Sequence, residues 1–318
     1  MKTILINDGL SKIGKNKLVD FKFNIIDQHI EHDKLISFIN QNNVSAILVR
    51  SATKITKNII DNCPKLELIG RGGVGLDNID VKYATSKNIH VINTPSASSL
   101  SVAELVFAHL FSMTRNLYHS NRTMQLEGDT NFKKLKKQYS KGIELRNKQL
   151  GIIGFGRIGQ EVAKIGFGLG MEIVFYDPNI DTHEIELMFF NQKKIRFKLQ
   201  KTELKDLLQT SDMVSIHVPK QKKPLISAQE LKYMKKNSFL INTSRGGAIN
   251  EHDLLEILNS RGIQCAGLDV FEGEPEPKIQ ILMNDYVSLS PHIGASTLEA
   301  QDRIGIELAE QIKTLLHD

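Results

Sequence analysis

The stretch "GIIGFGRIGQEVAKIGFGLGMEIVFYDP", residues Gly151–Pro178, decides the fold of this chain. An apolar run leads into three glycines, Gly154, Gly156 and Gly159, which are spaced as G-x-G-x-x-G, and an apolar-periodic segment follows them. A second apolar run then ends in Asp177, 18 residues beyond Gly159. This order predicts a strand, a tight turn, a helix and a second strand parallel to the first.

The three glycines match the needs of a dinucleotide. Gly154 permits the tight turn, Gly156 lets the backbone approach a pyrophosphate, and Gly159 lets the helix pack closely on the strand. The helix N-terminus adds unpaired amides and a partial positive charge for the phosphates. Asp177 can accept the ribose hydroxyls and would repel a 2′-phosphate, for which Pro178-Asn179 provide no arginine. We therefore predict NAD as the cofactor and not NADP; a purely structural glycine turn is the alternative.

Apolar, β-branched runs alternate with helix-like segments on both sides of this stretch. Five runs occur in the first hundred residues and a second series starts at Gln149. Strands that alternate with short helices predict right-handed crossovers and parallel sheets. Between the two series, "SLSVAELVFAHLFSMTRNLYHSNRTMQLEGD" has no internal proline, and we expect one long helix that begins at a capping box of Ser101 and Glu104.

Two further segments complete the predicted architecture. The residues around Asn191-Gln192 alternate with period two, which indicates a β-hairpin, and the end of the chain is an amphipathic helix. We predict an α/β protein of two doubly wound parallel-sheet domains, a Rossmann domain inserted into a discontinuous flavodoxin-like domain. The predicted ranges are 99–292 for the NAD-binding domain and 1–98 with 293–318 for the substrate domain.

The composition is that of an ordinary water-soluble protein. The chain has 318 residues, of which 41% are hydrophobic and 24% charged, with a formal net charge of +5 and a pI near 9.0. No signal-peptide core or membrane span is apparent, and Cys63 and Cys265 show no metal-type or redox-motif spacing. We expect a cytoplasmic protein with no metal site and no membrane or nucleic-acid partner.

Six motifs occur in a fixed order: "GRGGVGLDNID", "SVAEL", "LGIIGFGRIG", "INTSRGG", "GLDVFEGEP" and "LSPHIGAST". With these motifs the chain resembles the D-isomer-specific 2-hydroxyacid dehydrogenases, over nearly its whole length. Within that family, the enzymes that oxidise D-3-phosphoglycerate are the most similar. The resemblance implies a split substrate domain that flanks a central NAD domain, with the active site in the cleft between the domains.

The resemblance implies that Arg245, Glu274 and His292 form the catalytic group. Removing the hydroxyl proton of a 2-hydroxy acid suits an imidazole, which titrates near neutral pH. A carboxylate on its other nitrogen fixes the tautomer and stabilises the imidazolium, the role expected of Glu274. The planar fork of Arg245 can hold the substrate carboxylate and polarise the C2 oxygen. Each residue alone could be merely structural, but the three matching motifs favour catalysis.

Ligand contacts are implied in the same way. Asp269 is expected to hold the nicotinamide carboxamide, whereas Arg50 and Ser51 would bind the distal end of the substrate. The full cofactor set is Val74, Val102, Gly154, Gly156, Arg157, Ile158, Gly159, Asp177, Val218, Pro219, Thr243, Asp269 and Gly294. The full substrate set is Arg50, Ser51, Gly73, Val74, Gly75, Lys141, Arg245 and His292, in which the amides of residues 73–75 form an anion nest.

The implied reaction is the reversible, NAD-dependent oxidation of D-3-phosphoglycerate to 3-phosphohydroxypyruvate, the first step of serine biosynthesis. The implied assembly is a homodimer formed through the long helix and the segment 120–148. Lys141 lies in a lysine-rich part of that segment, which is either a solvated face or a source of one phosphate contact. A reductase of glyoxylate, hydroxypyruvate or pyruvate is the closest alternative, and a non-enzymatic, corepressor-like NAD sensor is a more distant one.

Two departures from the family pattern limit the resemblance. Ser98 stands where the family commonly has asparagine, and Lys220–Pro224 replaces a leucine-threonine turn, so we infer no contact from either. The sequence ends directly after the closing helix. We therefore expect no inhibition by serine through a C-terminal regulatory domain.

Overall fold

Two parallel sheets organise the chain in the computed structural model, which describes residues 1–316. The chain divides into two compact units. The first comprises Met1–Ser101 and the segment that begins at Ala295, and the second is Val102–Gly294. None of the described helices combines the length and the apolar composition needed to cross a bilayer.

The first unit is a five-stranded doubly wound sheet. Its elements up to residue 93 are β1 (Thr3–Ile6), α1 (Lys12–Asp20), β2 (Asn24–Asp27), α2 (Leu35–Gln41), β3 (Val44–Val49), α3 (Lys57–Asn62), β4 (Leu68–Arg71), α4 (Val81–Ser86) and β5 (His90–Asn93). The strand order is β2-β1-β3-β4-β5 and every pairing is parallel. This is the predicted flavodoxin-like order, whose central strands are apolar throughout because helices cover both faces.

The predicted single long helix is wrong. The structure has α5 (Ser99–Thr114) and α6 (Leu117–Gln138), which are separated at Asn116, a residue in the left-handed conformation with φ 51°. Asparagine tolerates this conformation better than most side chains, which is why the break falls there. The predicted capping box is also wrong, because α5 begins at Ser99 and Ser101 therefore lies inside the helix.

The second unit is built on a six-stranded parallel sheet. Its remaining elements are β6 (Gln149–Ile153), α7 (Arg157–Gly168), β7 (Glu172–Tyr176), β8 (Thr182–Met188), β9 (Lys194–Gln200), α8 (Leu204–Thr210), β10 (Met213–Ile216), α9 (Ala228–Leu231), β11 (Phe239–Asn242), α10 (Glu251–Asn259), β12 (Cys265–Leu268), α11 (Ile279–Leu282) and β13 (Val287–Leu289). The strand order is β13-β12-β11-β10-β6-β7. The direction of winding reverses between β6 and β10, where doubly wound sheets bind their ligands.

The predicted β-hairpin is confirmed. Strands β8 and β9 pair in antiparallel register from Thr182 opposite Gln200 to Met188 opposite Lys194. Beyond the hairpin, Lys201 forms a single parallel bridge with Phe175 of β7. The hairpin therefore leads the chain back to the edge of the sheet, at the place where another strand of a doubly wound sheet would lie.

The last helix, α12 (Leu298–Leu316), belongs to the first unit. Its apolar face, which includes Ile304, Leu308 and Ile312, packs into the core formed by β1 and β3. It crosses α1 at a pair of glycines, since a Cβ atom on Gly14 would lie 2.6 Å from the Cα atom of Gly305. Two larger residues at this crossing would force the helices apart.

Candidate active site

The glycine-rich turn has the geometry that its sequence predicts. Gly154 adopts φ 88° and a Cβ atom there would collide with the His217 carbonyl oxygen, while one on Gly159 would collide with the Gly154 carbonyl oxygen. A Cβ on Gly156, the N-cap of α7, would meet nothing within 4 Å. The open side of Gly156 and the free amides of the helix N-terminus fit a bound pyrophosphate.

Asp177 lies at the carboxyl end of β7, directly beside this turn. Its Oδ2 atom accepts a hydrogen bond of 2.8 Å from the Phe155 amide, and its Oδ1 atom accepts one of 2.8 Å from the Asn179 amide. The two amides orient the carboxylate but do not exhaust its acceptor capacity, because each carboxylate oxygen has two lone pairs. Asp177 can therefore still accept hydrogen bonds from ribose hydroxyls.

The remaining predicted cofactor residues of this region follow the ends of neighbouring strands. Arg157 and Ile158 open α7, Val218 and Pro219 follow β10, and Thr243 follows β11. The Thr243 hydroxyl is buried and has no hydrogen-bond partner among the described residues. A buried hydroxyl without a partner is costly, so it fits a site that a polar ligand completes.

The predicted catalytic residues follow three adjacent strands. Arg245 comes after β11, Glu274 after β12 and His292 after β13, and these strands are neighbours in the sheet. Because parallel strands present their carboxyl ends at one edge, the topology brings residues together that are 47 positions apart in sequence (292 − 245).

Glu274 and His292 form a direct pair. The Oε2 atom of Glu274 lies 2.8 Å from Nδ1 of His292, and its Oε1 atom accepts a hydrogen bond of 2.8 Å from the Phe271 amide. Partial burial by itself would raise the pKa of Glu274, but the hydrogen bonds from His292 and Phe271 and the positive charge of Arg245 hold that pKa below its usual value. Glu274 is therefore an ionised partner of Nδ1, the ring nitrogen of His292 that lies away from Nε2.

Arg245 is positioned by the turn that follows β11. The side-chain amide of Asn242 donates to the Arg245 carbonyl oxygen (3.0 Å), and the Asn242 Oδ1 atom accepts from the Ser244 amide (3.0 Å). The next residue is glycine because the turn packs directly on the Phe271 carbonyl oxygen, which a Cβ on Gly246 would strike. This contact places the arginine turn against the segment that carries Glu274.

Asp269 is buried and binds the segment that follows His292. It is 1% exposed, its Oδ1 atom accepts from the Ser290 hydroxyl (2.6 Å) and the Ile293 amide (2.8 Å), and its Oδ2 atom accepts from the Gly294 amide (2.8 Å). Val102 packs close to Gly294, within 3.2 Å of where a Cβ on that glycine would lie. The carboxylate thus holds the residues after His292, and its contact with a nicotinamide carboxamide stays a prediction.

In the first unit, Arg50 and Ser51 lie in a turn after β3 that Asp8 organises. The Asp8 carboxylate accepts hydrogen bonds from the Arg50 amide (2.7 Å), the Thr53 amide (3.1 Å) and the Thr53 hydroxyl (2.6 Å). The side-chain amide of Asn78 ties the same turn by donating to the Arg50 and Thr53 carbonyl oxygens. The sequence analysis did not identify Asp8, although an acid two residues after the first strand of a parallel sheet is a signal for it.

The glycine loop after β4 carries a second arginine that the sequence analysis missed. A Cβ on Gly73 would lie 2.5 Å from Nη1 of Arg71, and one on Gly72 would lie 3.6 Å from Cγ of Arg50. Both guanidinium-bearing side chains therefore flank this loop at the carboxyl edge of the sheet. The register that places Val49 opposite Arg71, with Arg50 next on β3, brings the two arginines together, and no pattern in the sequence specifies it.

The predicted anion nest is only partly available. The Gly73 amide donates to the Arg71 carbonyl oxygen (3.0 Å), and the Val74 carbonyl oxygen accepts from the Asn93 side chain (2.7 Å). Gly73 adopts φ 145°, which glycine tolerates best. Of the three predicted amides, those of Val74 and Gly75 are the ones to consider for an anion. Lys141, in the second unit, is exposed beyond the end of α6.

One further group of polar residues lies outside these sites. His252, Asp253 and Glu256 of α10 offer ligand atoms within 4.8 Å of one another. Asp253 already accepts a hydrogen bond of 2.8 Å from the Ala228 amide, and the other two are exposed. The group has the character of a solvated helix surface, and we assign no metal to it.

Comparison with known proteins decides the family. A family model described as "D-isomer specific 2-hydroxyacid dehydrogenase, NAD binding domain" matches residues 107–294. The chain belongs to the D-isomer-specific 2-hydroxyacid dehydrogenases. It is therefore an NAD-dependent oxidoreductase of small 2-hydroxy or 2-keto acids, as its motifs predict, and the six-stranded unit is its NAD-binding domain.

Individual relatives differ in substrate. The hydroxypyruvate reductase of Thermotoga maritima is 40% identical over 96% of both chains. The D-3-phosphoglycerate dehydrogenase of Methanocaldococcus jannaschii is 42% identical over 85% of this chain, which spans only 49% of that relative. The NAD complex of a formate dehydrogenase from Staphylococcus aureus is 25% identical and has a TM-score of 0.80 over 100% of this chain and 96% of that one. The substrates of these relatives therefore differ, whereas their fold is the same.

Proposed function

We propose that this family member interconverts D-3-phosphoglycerate and 3-phosphohydroxypyruvate with NAD, the reaction that opens serine biosynthesis. The pair of arginines beside Gly72 and Gly73 carries the proposal. The substrate bears a carboxylate and a phosphate, and Arg50 with Arg71 provides two cationic groups at one loop of the first unit. Guanidinium groups bind phosphate through paired hydrogen bonds and retain their charge at any physiological pH.

His292 is the proposed acid/base. In the oxidation direction its Nε2 atom takes the proton of the C2 hydroxyl, while the C2 hydride leaves with its electron pair. The Nδ1 contact of 2.8 Å to Glu274 then stabilises the resulting imidazolium. Bound NAD supplies the hydride acceptor. In the reverse direction the imidazolium returns its proton to the oxygen of the keto group.

Arg245 is the proposed partner of the C2 oxygen and the carboxylate. Its positive charge is one of the causes that hold the pKa of Glu274 below its usual value, which supports a position of Arg245 near this pair. A cation near the C2 oxygen stabilises the negative charge that develops there when the proton leaves. Asn242 and Gly246 fix the turn, so this stabilisation is preorganised.

The cofactor contacts are proposed for the glycine-rich turn, Asp177 and Thr243. Support comes from the open side of Gly156, from the two amides that orient Asp177, and from the buried Thr243 hydroxyl. We propose a supporting role for Asp269, since its oxygens already bind Ser290, Ile293 and Gly294. The first unit would then serve substrate recognition, as the predicted domain roles require.

Hydroxypyruvate reduction is the second candidate. It is favoured by the Thermotoga maritima relative, which is 40% identical over 96% of both chains. The chain spans about half the length of the phosphoglycerate dehydrogenases that it matches. The two substrates differ only in the phosphate, so the distinction depends on whether Arg50 and Arg71 bind that group.

The test compares Arg50→Ala with the unchanged protein on 3-phosphohydroxypyruvate and on hydroxypyruvate. If Arg50 binds phosphate, KM for the phosphorylated substrate rises by about 10-fold or more, equivalent to about 1.4 kcal/mol, and KM for hydroxypyruvate changes far less. Lys141→Ala tests in the same way whether Lys141 also contacts the phosphate. An equal response of both substrates to Arg50→Ala would contradict the phosphate assignment and leave hydroxypyruvate reduction as the better proposal.

A homodimer is proposed through α5 and α6. These helices expose large apolar side chains, of which Leu117, Tyr118, Leu126 and Phe132 are more than half exposed. A second copy of the chain would bury them, and exposed apolar side chains of this size are typical of interfaces. The molar mass in solution at micromolar concentration tests this assembly.

A further inference from the structure

His109 lies on α5, and its ring contacts the segment that leads to His292. It is 4% exposed, with Nδ1 2.8 Å from the Ser288 hydroxyl and Nε2 3.0 Å from the Ser290 hydroxyl. Its ring fits over β12 because residue 267 is glycine: a Cβ there would lie 3.1 Å from Cβ of His109. A buried imidazole with two partners is therefore built into the sheet edge next to the proposed acid/base.

The hydrogen bonds have one consistent direction. Ser290 has a single hydroxyl proton, which it donates to Oδ1 of Asp269 at 2.6 Å, so it can only accept from His109. Burial lowers the pKa of His109, against a smaller opposing effect of the Asp269 charge, so the ring is neutral at pH 7. We assign the proton to Nε2, and Nδ1 then accepts from the Ser288 hydroxyl.

The far end of this chain of hydrogen bonds holds the backbone around His292. Asp269 accepts from the Ile293 amide and the Gly294 amide, both at 2.8 Å. His292 itself has φ 55°, a conformation that non-glycine side chains rarely adopt and that surrounding contacts must maintain. These contacts come from His109 and Asp269, which are buried, and from Ser288 and Ser290, which are partly exposed. We call these four residues the support chain.

We propose that His109 is a positioning residue for His292, and that it acts through Ser290 and Asp269. Its Nε2–H fixes the Ser290 hydroxyl, which orients the Asp269 carboxylate toward the Ile293 and Gly294 amides. These amides in turn keep the His292 backbone in its left-handed conformation, with Nδ1 against Glu274. The inference rests on the proposed acid/base function of His292 and adds a residue that never contacts substrate.

Steady-state kinetics of NADH-dependent keto-acid reduction give the first test. His109→Leu should lower kcat about 10-fold with KM for the keto acid nearly unchanged, since small displacements of a catalytic group cost rate more than binding. His109→Gln keeps a donor near the Nε2 position and should restore most of the loss. Ser290→Ala should resemble His109→Leu, and the double variant should be no slower than either, because both changes break one chain.

Two controls separate positioning from general damage. Ser288→Ala removes the partner of Nδ1, on the side away from Asp269, and should lower kcat less than Ser290→Ala does. The alkaline limb of kcat/KM should move to lower pH in His109→Leu, because His292 then contacts Glu274 less well. Glu274 is itself influenced by the positive charge of Arg245. The melting temperature identifies any variant that fails to fold. If His109→Leu does not fold, the same measurements are made on Ser290→Ala instead.

Hydrogen exchange provides a readout that does not depend on activity. Exchange of the Ile293 and Gly294 amides should accelerate at least about 10-fold in His109→Leu and in Ser290→Ala, since their hydrogen bonds to Asp269 loosen. Unchanged exchange, or unchanged kcat in an active enzyme, overturns the inference. Loss of activity in His292→Ala alongside normal kcat in His109→Leu would leave the proposed function intact and remove only His109 from it. An inactive parent protein would instead contradict the proposed function, while the exchange rates would still decide the support chain.

Discussion

The carboxylate of Asp177 is oriented by two backbone amides, with one oxygen next to the glycine-rich turn. A 2′-phosphate at the ribose would bring negative charge against this carboxylate. We expect the protein to use NAD at least about 10-fold more efficiently than NADP, which corresponds to about 1.4 kcal/mol. Asp177→Ala should narrow this ratio by lowering kcat/KM for NAD more than for NADP. Equal use of both cofactors by the unchanged protein would refute the role of Asp177.

The pair formed by Glu274 and His292 leads to a prediction about proton transfer. His292→Ala should lower turnover by roughly 10²–10⁴-fold and leave NADH binding intact, because proton transfer contributes about that factor. NADH fluorescence measures binding separately from turnover. Near-normal turnover in His292→Ala would show that this histidine is structural.

Glu274→Gln tests the other half of the pair. Glutamine keeps the shape but removes the charge that stabilises the imidazolium, so substrate binding should persist while the pH profile of kcat changes. Because the pKa of Glu274 lies below its usual value, the unchanged protein keeps this charge at neutral pH. A pH profile of Glu274→Gln that coincides with that of the parent would argue against the pairing.

Single residues differed in how far the sequence could predict them. Arg245, Glu274 and His292 stand in short motifs, and parallel strands bring such motifs to one edge, so their grouping could be anticipated. The contacts of Asp269 depend on the path of residues 290–294, which includes a left-handed residue that no motif specifies. Arg71 depends on the register of β3 against β4, which apolar periodicity does not determine.

The break between α5 and α6 depends on one residue in the left-handed conformation, Asn116. Asn116→Gly should change the free energy of unfolding by less than about 0.5 kcal/mol, since glycine adopts this conformation freely. Asn116→Val should lower that free energy by about 1–2 kcal/mol, because a β-branched side chain is strained there. Urea unfolding of the two variants provides the comparison. Equal stability of both would mean that the two helices join without this backbone conformation.

Secondary-structure elements were predicted well where their pattern was periodic. The parallel strands follow the apolar runs, and the hairpin of β8 and β9 follows the period-two alternation. The two errors occur at helix ends. A sequence of good helix formers does not reveal that the chain turns at Asn116, and the side-chain pattern at Ser101 and Glu104 resembles a cap although the helix has already begun at Ser99.

At the scale of the whole molecule, His217 links stability to pH. Its Nδ1 atom is buried without a hydrogen-bond partner among the described residues, and burial lowers its pKa to about 3. An unfolded histidine titrates near pH 6.5, so below that pH the unfolded state binds a proton that the folded state excludes. The contribution is fully present above about pH 6.5 and is lost as the pH falls toward 3, by about 2 kcal/mol between pH 7 and 5.

Urea titrations at pH 7 and pH 5 measure this effect. The free energy of unfolding should fall on acidification, and the fall should be about 2 kcal/mol smaller in His217→Gln, which cannot take up the proton. Glutamine can also retain a hydrogen bond to Ser215, the partner of His217 Nε2 at 2.8 Å. Parallel pH dependence in both proteins would show that the ring is protonated in the native state or is hydrated.

The crossing of α12 with α1 at Gly14 and Gly305 has a consequence for synthesis of the protein. On the ribosome, Met1–Ser101 emerges first, yet the helix that fills the groove beside β1 and β3 is translated only after all of Val102–Gly294. In the nascent first unit, the side chains of Ile4, Leu48 and their apolar neighbours therefore stay exposed until α12 is translated. The second unit is continuous in sequence and can fold as it emerges. The first unit is thus the first part of the chain to be translated and the last to be completed. Chaperones that bind exposed apolar surface would therefore encounter it in an incomplete state.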